Sequence, residues 1–343
     1  MRGVVFRRPG EVRVMDVAEP RVRHPRDVVV RVTRSAICGT DLHPYRGELQ
    51  GFPDGTVMGH EFAGHVHEVG DEAPFLAGER VFASDLVACG RCDRCRRGWH
   101  YQCPEVGLFG YGAVVGTSLP GGQAEFVRVP FADAVLKRTP DDVSDEQALF
   151  VGDVLTTAYA AVLDAGVTPG ETVGVVGAGP VGLLAAVCAS VAGAARVVLA
   201  DPNPERRKRA ADHGFEAVEP DALSAVVCTG IADGADRVIE AVGSDAALTC
   251  ALHAAAVHGT VVAVGAHHSA AMPFPTGLSF ARELTLRFCV GDPIRLRDRV
   301  LALVRAGRVD PSTVVSHRFP LDDAPLAYRM FDRQEVFKAV LMH

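Results

Sequence analysis

Hydrophobic and polar positions follow two different patterns along the chain. Up to about Phe150, short apolar or alternating runs are separated by turns rich in Gly and Pro, and no segment keeps a helical period. The runs predicted to be strands include Val28–Val32, Glu79–Phe82 and Ala124–Val129. Such a pattern is typical of an irregular β domain.

From Val154 to Cys289, strand-like and helix-like segments alternate. The predicted strands are Val173–Val176, Arg196–Ala200, Arg237–Ala241 and Thr260–Val264. This alternation predicts a parallel, doubly wound sheet of the Rossmann type. The tail returns to short elements and is expected to pack on the β domain. We therefore predict an α/β protein with the segments 1–153, 154–289 and 290–343.

Composition narrows the class of protein. A chain of 343 residues suggests about two domains, and 35 Lys and Arg against 42 Asp and Glu give a net charge of −7. This balance argues against a nucleic-acid partner, which favours basic surfaces. The segment Met1–Val14 holds no apolar run, so no secretory signal is expected. The uncharged stretch 172–195 is long enough for a bilayer, but its glycines divide it into a strand and a helix. We expect a cytoplasmic protein with no membrane partner.

Four cysteines in one short loop form the strongest local signal. Cys89, Cys92, Cys95 and Cys103 can surround a tetrahedral ion with sulfur and leave no open position. Their lobe, about 85–110, is polar and rich in Arg, so metal binding is expected to fold it. A structural zinc is predicted. The alternative is an iron–sulfur cluster, which the cysteine spacing partly matches, although the last gap of seven residues fits it poorly.

A second set of metal-binding residue types is dispersed. Cys38 opens the run Cys38-Gly39-Thr40-Asp41-Leu42-His43, and His60 is followed by Glu61. Together they supply a thiolate, an imidazole and a carboxylate. A mixed set that lacks one ligand is typical of a catalytic zinc. Two zinc ions per chain are therefore predicted.

A glycine motif marks a cofactor site. Gly177-x-Gly179-x-x-Gly182 follows a predicted strand and opens a predicted helix, which is the context of a dinucleotide fingerprint. Gly177 permits the tight turn, Gly179 lets a pyrophosphate approach, and Gly182 lets helix and strand pack closely. Pro180 and Val181 lie between them at the helix N-terminus, where phosphates bind.

Asp201 ends the next predicted strand, 24 residues after Gly177. An acidic residue at this place binds the adenosine ribose of NAD and repels the additional phosphate of NADP. NAD is therefore the predicted cofactor. The alternative role for Asp201 is that of a helix N-cap.

These motifs together resemble the zinc-dependent alcohol dehydrogenases of the medium-chain dehydrogenase/reductase superfamily. The resemblance includes Gly59-His60-Glu61-x2-Gly64-x5-Gly70, the four-cysteine lobe, the fingerprint and their order. The segment Gly121–Pro130 is similar to bacterial members related to glutathione-independent formaldehyde dehydrogenases. The family implies a GroES-like catalytic β domain, a Rossmann domain that binds NAD, and a tail that returns to the β domain.

The resemblance also implies roles for single residues. Cys38 and His60 match two ligands of the family's catalytic zinc, and Asp153 matches the third. Glu61 can approach the same ion, so which carboxylate binds at rest is left open, with Asp153 favoured. Asp41 is expected to accept a hydrogen bond from the other nitrogen of His60.

Four further positions match family residues. Thr40 would pass the proton of the alcohol through the cofactor ribose to His43, whose residue type has an unperturbed pKa of about 6.5. Arg206 would lie near the adenine, and Lys338 on the pyrophosphate. Plain surface positions are the alternatives for His43 and Arg206, the latter on the charged segment 205–209.

The function that follows is an NAD-dependent zinc oxidoreductase acting on a small alcohol, polyol or carbonyl compound. A formaldehyde or aldehyde dehydrogenase, or a dismutase that retains its NAD, is the alternative, and a non-catalytic relative is a remote one. The exposed apolar edge expected at Leu284–Cys289 predicts a homodimer or homotetramer. The sequence leaves the identity of the substrate open.

Overall fold

The computed structural model describes residues 1–228, 233–268 and 271–343. The chain divides into two compact units. One unit comprises Met1–Asp153 and Asp292–His343, and is called the β unit below. The other comprises Val154–Gly291 and is called the Rossmann unit.

The β unit consists of short strands and short helices. Its strands are β1 (Arg2–Arg8), β2 (Glu11–Asp16), β3 (Val28–Ile37), β4 (Glu61–Val69), β5 (Arg80–Ala83), β6 (Leu86–Val87), β7 (Gly107–Leu108), β8 (Phe126–Val129), β9 (Leu136–Arg138), β16 (His317–Pro320) and β17 (Ala339–Met342). Its helices are α1 (Gly39–Tyr45), α2 (Asp93–Arg96), α3 (Ala132–Val135), α4 (Asp145–Val151), α11 (Pro293–Arg305) and α12 (Ala324–Asp332). Short 3-10 turns lie at 100–102, 311–314 and 321–323.

The main sheet of this unit has the order β16-β17-β3-β4-β5-β9, and β8 also pairs with β3. β3 extends to Ile37, five residues beyond the predicted strand end at Val32. Its second half pairs with β4 on one side and with β17 on the other, so two neighbours keep the polar positions Arg34 and Ser35 extended. The C-terminal segment thus forms part of the β unit.

The Rossmann unit alternates strands and helices. Its strands are β10 (Thr172–Val176), β11 (Arg196–Ala200), β12 (Glu216–Val218), β13 (Ala235–Glu240), β14 (Ala255–Ala263) and β15 (Thr285–Phe288). Its helices are α5 (Val154–Ala165), α6 (Pro180–Ala192), α7 (Pro204–Asp212), α8 (Leu223–Val227), α9 (Asp245–Ala254) and α10 (Thr276–Ala281), with a 3-10 turn at 220–222. The strands are all parallel in the order β12-β11-β10-β13-β14-β15. This topology confirms the predicted fold class.

The bounds of single strands differ from the predicted ones where the local sequence is ambiguous. β14 begins at Ala255, five residues before the predicted start at Thr260. The run Ala254–Ala256 has no β-branched residue and favours a helix by propensity alone. Ala255 in this run pairs with Ala235 of β13, next to an irregularity in register, and this pairing keeps the run extended.

The uncharged stretch 172–195 folds as β10 followed by α6, both largely buried in the Rossmann unit. Among the described residues, no single helix is long and apolar enough to cross a membrane. In that described part of the chain, one pair of successive helices, α4 and α5, meets the length and composition of a span when the two are taken together.

Candidate metal centres and cofactor-binding site

Four side chains with metal-binding atoms meet inside the β unit. Cys38 follows β3, His60 and Glu61 stand at the start of β4, and Asp153 follows α4. One ligand atom from each lies within 4.8 Å of all the others. Cys38 Sγ is 4.0 Å and His60 Nε2 is 3.3 Å from Asp153 Oδ2. The structure therefore brings together, from three separate segments, all four residues expected at the catalytic zinc.

The electrostatics of this cluster suit a cation. Burial lowers the pKa of His60, but the charges of Asp41 and Cys38 outweigh burial and raise that pKa well above its ordinary value. Glu61 Oε2 is buried and has no hydrogen-bond partner within the described part of the chain. A buried acceptor of this kind is costly unless a cation or donor satisfies it. A thiol, an imidazole and two carboxylates at these distances fit a zinc ion.

A polar contact with Asp41, which is itself held by hydrogen bonds, orients the imidazole of His60. Its Nδ1 faces Asp41 Oδ1 at 3.3 Å, while Asp41 Oδ2 accepts from the Cys38 N–H at 2.9 Å and from Gln123 Nε2 at 3.3 Å. Tyr328 donates its hydroxyl to Gln123 Oε1 at 2.8 Å. Sequence reasoning placed Asp41 here but missed Gln123 and Tyr328, because nothing in their local sequence shows that they approach Asp41. Such outer contacts fix the ring of a metal-binding histidine.

Lys338 lies against Glu61 instead of presenting its ammonium to solvent. Its Nζ donates to Glu61 Oε1 at 2.8 Å, and its side chain is 1% exposed. Burial raises the pKa of Glu61 to about 7, against the opposing charge of Lys338. The sequence predicts that Lys338 contacts the pyrophosphate of the cofactor. In the structure its ammonium group is buried and paired with a carboxylate, so it is not exposed to bind a phosphate.

Thr40 and His43 lie three residues apart on α1 and therefore share one face of that helix. Both are partly exposed. His43 Nδ1 lies 2.5 Å from Glu48 Oε2, a contact that the sequence did not reveal because Glu48 belongs to no motif. The arrangement is suited to the transfer of a proton toward solvent.

The four-cysteine centre has the geometry of a single-ion site. The Sγ atoms of Cys89 and Cys95 are 3.9 Å apart, as are those of Cys92 and Cys103. Sulfur atoms at the corners of a tetrahedron around one zinc, each about 2.3 Å from the ion, lie about 3.8 Å apart. The observed separations fit one ion, and they are far longer than a disulfide bond.

Local structure prepares one of these sulfurs, that of Cys92, to bind a metal as a thiolate. Cys92 is the N-cap of α2 and its Sγ accepts from the Cys95 N–H at 3.5 Å. That hydrogen bond, together with the contacts of Cys92 to the other three cysteines, lowers the pKa of Cys92 to about 7. The apolar surroundings are small, since Leu86 and Ala88 are the buried aliphatic residues that pack with the cysteines.

The fingerprint glycines form an open cradle at the N-terminus of α6. Gly177 has a φ of +96°, and a Cβ there would lie 2.6 Å from Val242. A Cβ on Gly182 would lie 1.8 Å from the carbonyl oxygen of Gly177, so only glycine permits the close approach of α6 to β10. In contrast, the nearest atom to a Cβ on Gly179, the N-cap of α6, is Arg206 Nη1 at 3.7 Å. The space above Gly179 can admit a phosphate.

Asp201 lies at the end of β11 beside this cradle. Its carboxylate accepts from the Ala178 N–H and from the Asn203 N–H, both at 2.8 Å. Arg206 Nη1 is 3.6 Å from Asp201 Oδ2. The alternative N-cap role for Asp201 is wrong, because Asn203 is the N-cap of α7 and accepts from the N–H groups of that helix.

Comparisons with known proteins agree with this picture. The family model "Alcohol dehydrogenase GroES-like domain" matches residues 24–141, and "Zinc-binding dehydrogenase" matches residues 180–305. The alcohol dehydrogenase TADH from Thermus sp. ATN1 has a similar structure, with a TM-score of 0.94 and 40% identity over 100% of this chain and 99% of that one.

Two curated relatives extend the comparison. An alcohol dehydrogenase of Cupriavidus necator is 31% identical over 97% of this chain and 96% of its own length. A glutathione-independent formaldehyde dehydrogenase of Pseudomonas aeruginosa is 38% identical over 64% of this chain and 58% of its own length. The two family models, these relatives and the Cys–His–carboxylate cluster agree with one another. The chain therefore belongs to the zinc-type alcohol dehydrogenases of the medium-chain dehydrogenase/reductase superfamily.

Proposed function

We propose that the protein is an NAD-dependent zinc alcohol dehydrogenase. The observation that carries this proposal is the cluster of the half-buried Cys38 with the buried His60, Glu61 and Asp153, whose ligand atoms lie within 4.8 Å of one another. The reaction removes a proton from the hydroxyl of an alcohol and a hydride from its carbon. The products are a carbonyl compound, NADH and a proton.

The residues of this chain have separate tasks in that reaction. Cys38, His60 and Asp153 would hold a zinc that supplies a Lewis acid for the alcohol oxygen. Asp41 orients the ring of His60, and Lys338 holds the carboxyl group of Glu61 in place. Thr40 and His43 carry the released proton away, with Glu48 as the partner of His43.

The Rossmann unit would bind the cofactor. Its three glycines and the N-terminus of α6 would hold the pyrophosphate, and Asp201 would bind the ribose hydroxyls. Arg206, whose guanidinium lies near Gly179, would contact the adenosine part. Cys89, Cys92, Cys95 and Cys103 would hold a second, structural zinc.

The test is NADH formation by the undialysed protein with a panel of alcohols, together with metal analysis. We expect two zinc ions per chain and turnover of at least one alcohol. Cys38→Ser should bind one zinc and lose turnover while keeping the thermal unfolding midpoint, because only one cluster is changed. Cys228→Ser, at an exposed cysteine, is the matched control and should behave as the wild type. Fewer than two zinc ions in fresh wild-type protein would contradict the proposal.

The second candidate function is an aldehyde-handling enzyme, either a formaldehyde or aldehyde dehydrogenase or a dismutase that retains NAD. The similarity to a formaldehyde dehydrogenase over 64% of the chain favours it. A dismutase would convert formaldehyde to methanol and formate without added cofactor, and the purified protein would release NAD on denaturation. Turnover of alcohols that requires added NAD would instead support the first proposal.

A further inference from the structure

A second buried carboxylate lies beside the Cys38–His60–Glu61–Asp153 cluster, and none of the tasks above uses it. Asp85 lies between β5 and β6 and is 5% exposed. Its backbone N–H donates to the carbonyl oxygen of Gly152 at 3.3 Å, next to Asp153 in the chain. Asp85 is thus a buried acidic side chain near the cluster that is not among the four residues of the cluster itself.

The hydrogen bonding of Asp85 is incomplete. Its Oδ2 accepts from the Tyr101 hydroxyl at 2.7 Å, whereas its Oδ1 is buried and has no hydrogen-bond partner among the described residues. In the same described part of the chain, no Lys, Arg or His nitrogen lies within 4.0 Å of this carboxylate. Buried carboxylate oxygens normally have a donor, so Oδ1 is an acceptor prepared for a group that the chain does not supply.

Neighbouring charged groups are already engaged elsewhere. Arg297 donates to Ser84, to the carbonyl of Val135 and to the carbonyl of Ala134. His100 is paired with Asp292 at 2.9 Å. None of these side chains donates to Asp85 Oδ1, so this atom is available to a donor group of a bound molecule.

The charges around Asp85 agree with this reading. Burial raises the pKa of Asp85 to about 8, and the charge of Asp153 acts in the same direction. The hydrogen bond between the Asp85 N–H and the carbonyl oxygen of Gly152 places Asp85 beside the segment that carries Asp153. A donor group beside Asp85 can therefore belong to the same small molecule that binds at the metal cluster.

We propose that Asp85, held in place by Tyr101, determines specificity by accepting a hydrogen bond from a second donor group on the alcohol substrate. The substrate class is then an alcohol that carries a further hydroxyl or an ammonium group next to the reacting carbon. A purely apolar alcohol leaves Oδ1 unpaired, and sites built to pair such groups reject ligands that lack them. The inference rests on the proposed function, since it places the reacting hydroxyl at the neighbouring cluster.

Three secondary alcohols of nearly equal size test it: propylene glycol, isopropanolamine and secondary butanol. They differ only in whether the group next to the reacting carbon ends in a hydroxyl, an ammonium or a methyl. We expect kcat/KM of the zinc-loaded wild type for at least one of the two polar substrates to exceed that for secondary butanol about ten- to hundredfold. Asp85→Leu should abolish this preference and leave kcat/KM for secondary butanol equal or higher.

Asp85→Asn distinguishes the two donors, because an amide still accepts from a hydroxyl but does not attract an ammonium. A preference for propylene glycol should survive in part, whereas a preference for isopropanolamine should be lost. Tyr101→Phe should reduce the preference less than Asp85→Leu, since Tyr101 only positions the carboxylate. Asp133→Asn, at a half-buried carboxylate paired with Arg26, is the matched control and should keep the wild-type preference.

Two results would overturn the inference. One is a wild type that oxidises secondary butanol as well as it oxidises both polar substrates. The other is an Asp85→Leu variant that slows all three substrates by the same factor, which would make Asp85 structural. If none of the three alcohols is oxidised, the proposed function fails for them. Titration calorimetry of propylene glycol and isopropanolamine into the wild type and into Asp85→Leu then tests the inference about Asp85 separately. Equal binding of both compounds to both proteins would then overturn the inference.

Discussion

Among single residues, Asp201 has the sharpest predicted consequence, the choice of cofactor. Two unit charges about 4 Å apart at an effective dielectric near 20 repel by about 4 kcal/mol. Water and relaxation reduce this to about 2–3 kcal/mol, or about 30- to 150-fold in kcat/KM in favour of NAD over NADP. Asp201→Gly should relax the choice, because Arg206, now 3.6 Å from the carboxylate, becomes available to a phosphate.

The measurement is kcat/KM for both cofactors in the wild type and the variant. Asp201→Asn serves as a second variant that removes the charge, since its single amide oxygen can still accept from one of the two N–H groups, Ala178 or Asn203, that the carboxylate binds with its two oxygens. Asp212→Ala, at the exposed end of α7, is the control and should leave the ratio unchanged. A wild type that uses NADP as well as NAD would refute the role given to Asp201.

His43 carries a second prediction at this scale. If its ring takes the proton to solvent, His43→Gln should lower kcat, and small imidazole buffers should restore part of the loss. Glu48→Gln should lower kcat less, because it removes only the partner of the ring. His258→Gln, at an exposed histidine of the Rossmann unit, should have no effect. A loss in His43→Gln that no buffer rescues would indicate a structural role.

At the scale of elements, the four-cysteine lobe depends on its metal because its apolar core is small. α2 has only four residues, and its N-cap is itself a predicted zinc ligand. Cys92→Ser should therefore remove one zinc per chain and lower the thermal unfolding midpoint by several degrees, unlike Cys38→Ser. Metal analysis and calorimetry provide the two readouts, with Cys228→Ser as the control. An unchanged midpoint after loss of that zinc would show that the lobe folds without it.

At the scale of the whole molecule, the described structure leaves an apolar edge on the Rossmann sheet. β15 is the last strand of that sheet, and Phe288 and Val290 are 60% and 61% exposed. Because exposed strand edges favour pairing with another chain, we predict a homodimer or homotetramer. Light scattering at micromolar concentration should give a multiple of the 36.3 kDa chain mass. Phe288→Glu should shift the measured mass toward that of the monomer. Leu76→Glu, at an exposed position of the β unit, should leave the mass unchanged.

Much of the site could be predicted because its chemistry is written in local residue types and spacings. The cysteine lobe, the fingerprint and the helix that follows it each depend on contacts within one short segment, and the structure has that helix at Pro180–Ala192, directly after Gly179. Asp153 could be assigned only through the family resemblance, since no local motif marks it.

Other features were decided by the tertiary structure alone. Lys338 meets Glu61 across 277 positions of the chain, and Tyr101 reaches Asp85 only because the lobe folds back on the turn after β5. The extension of β3 likewise required β4 and β17 as partners on its two sides. Local spacing specifies which donor atoms a segment offers. Which of those atoms meet in the buried interior depends on strand pairing between distant segments, because only the assembled sheet sets the distances between them.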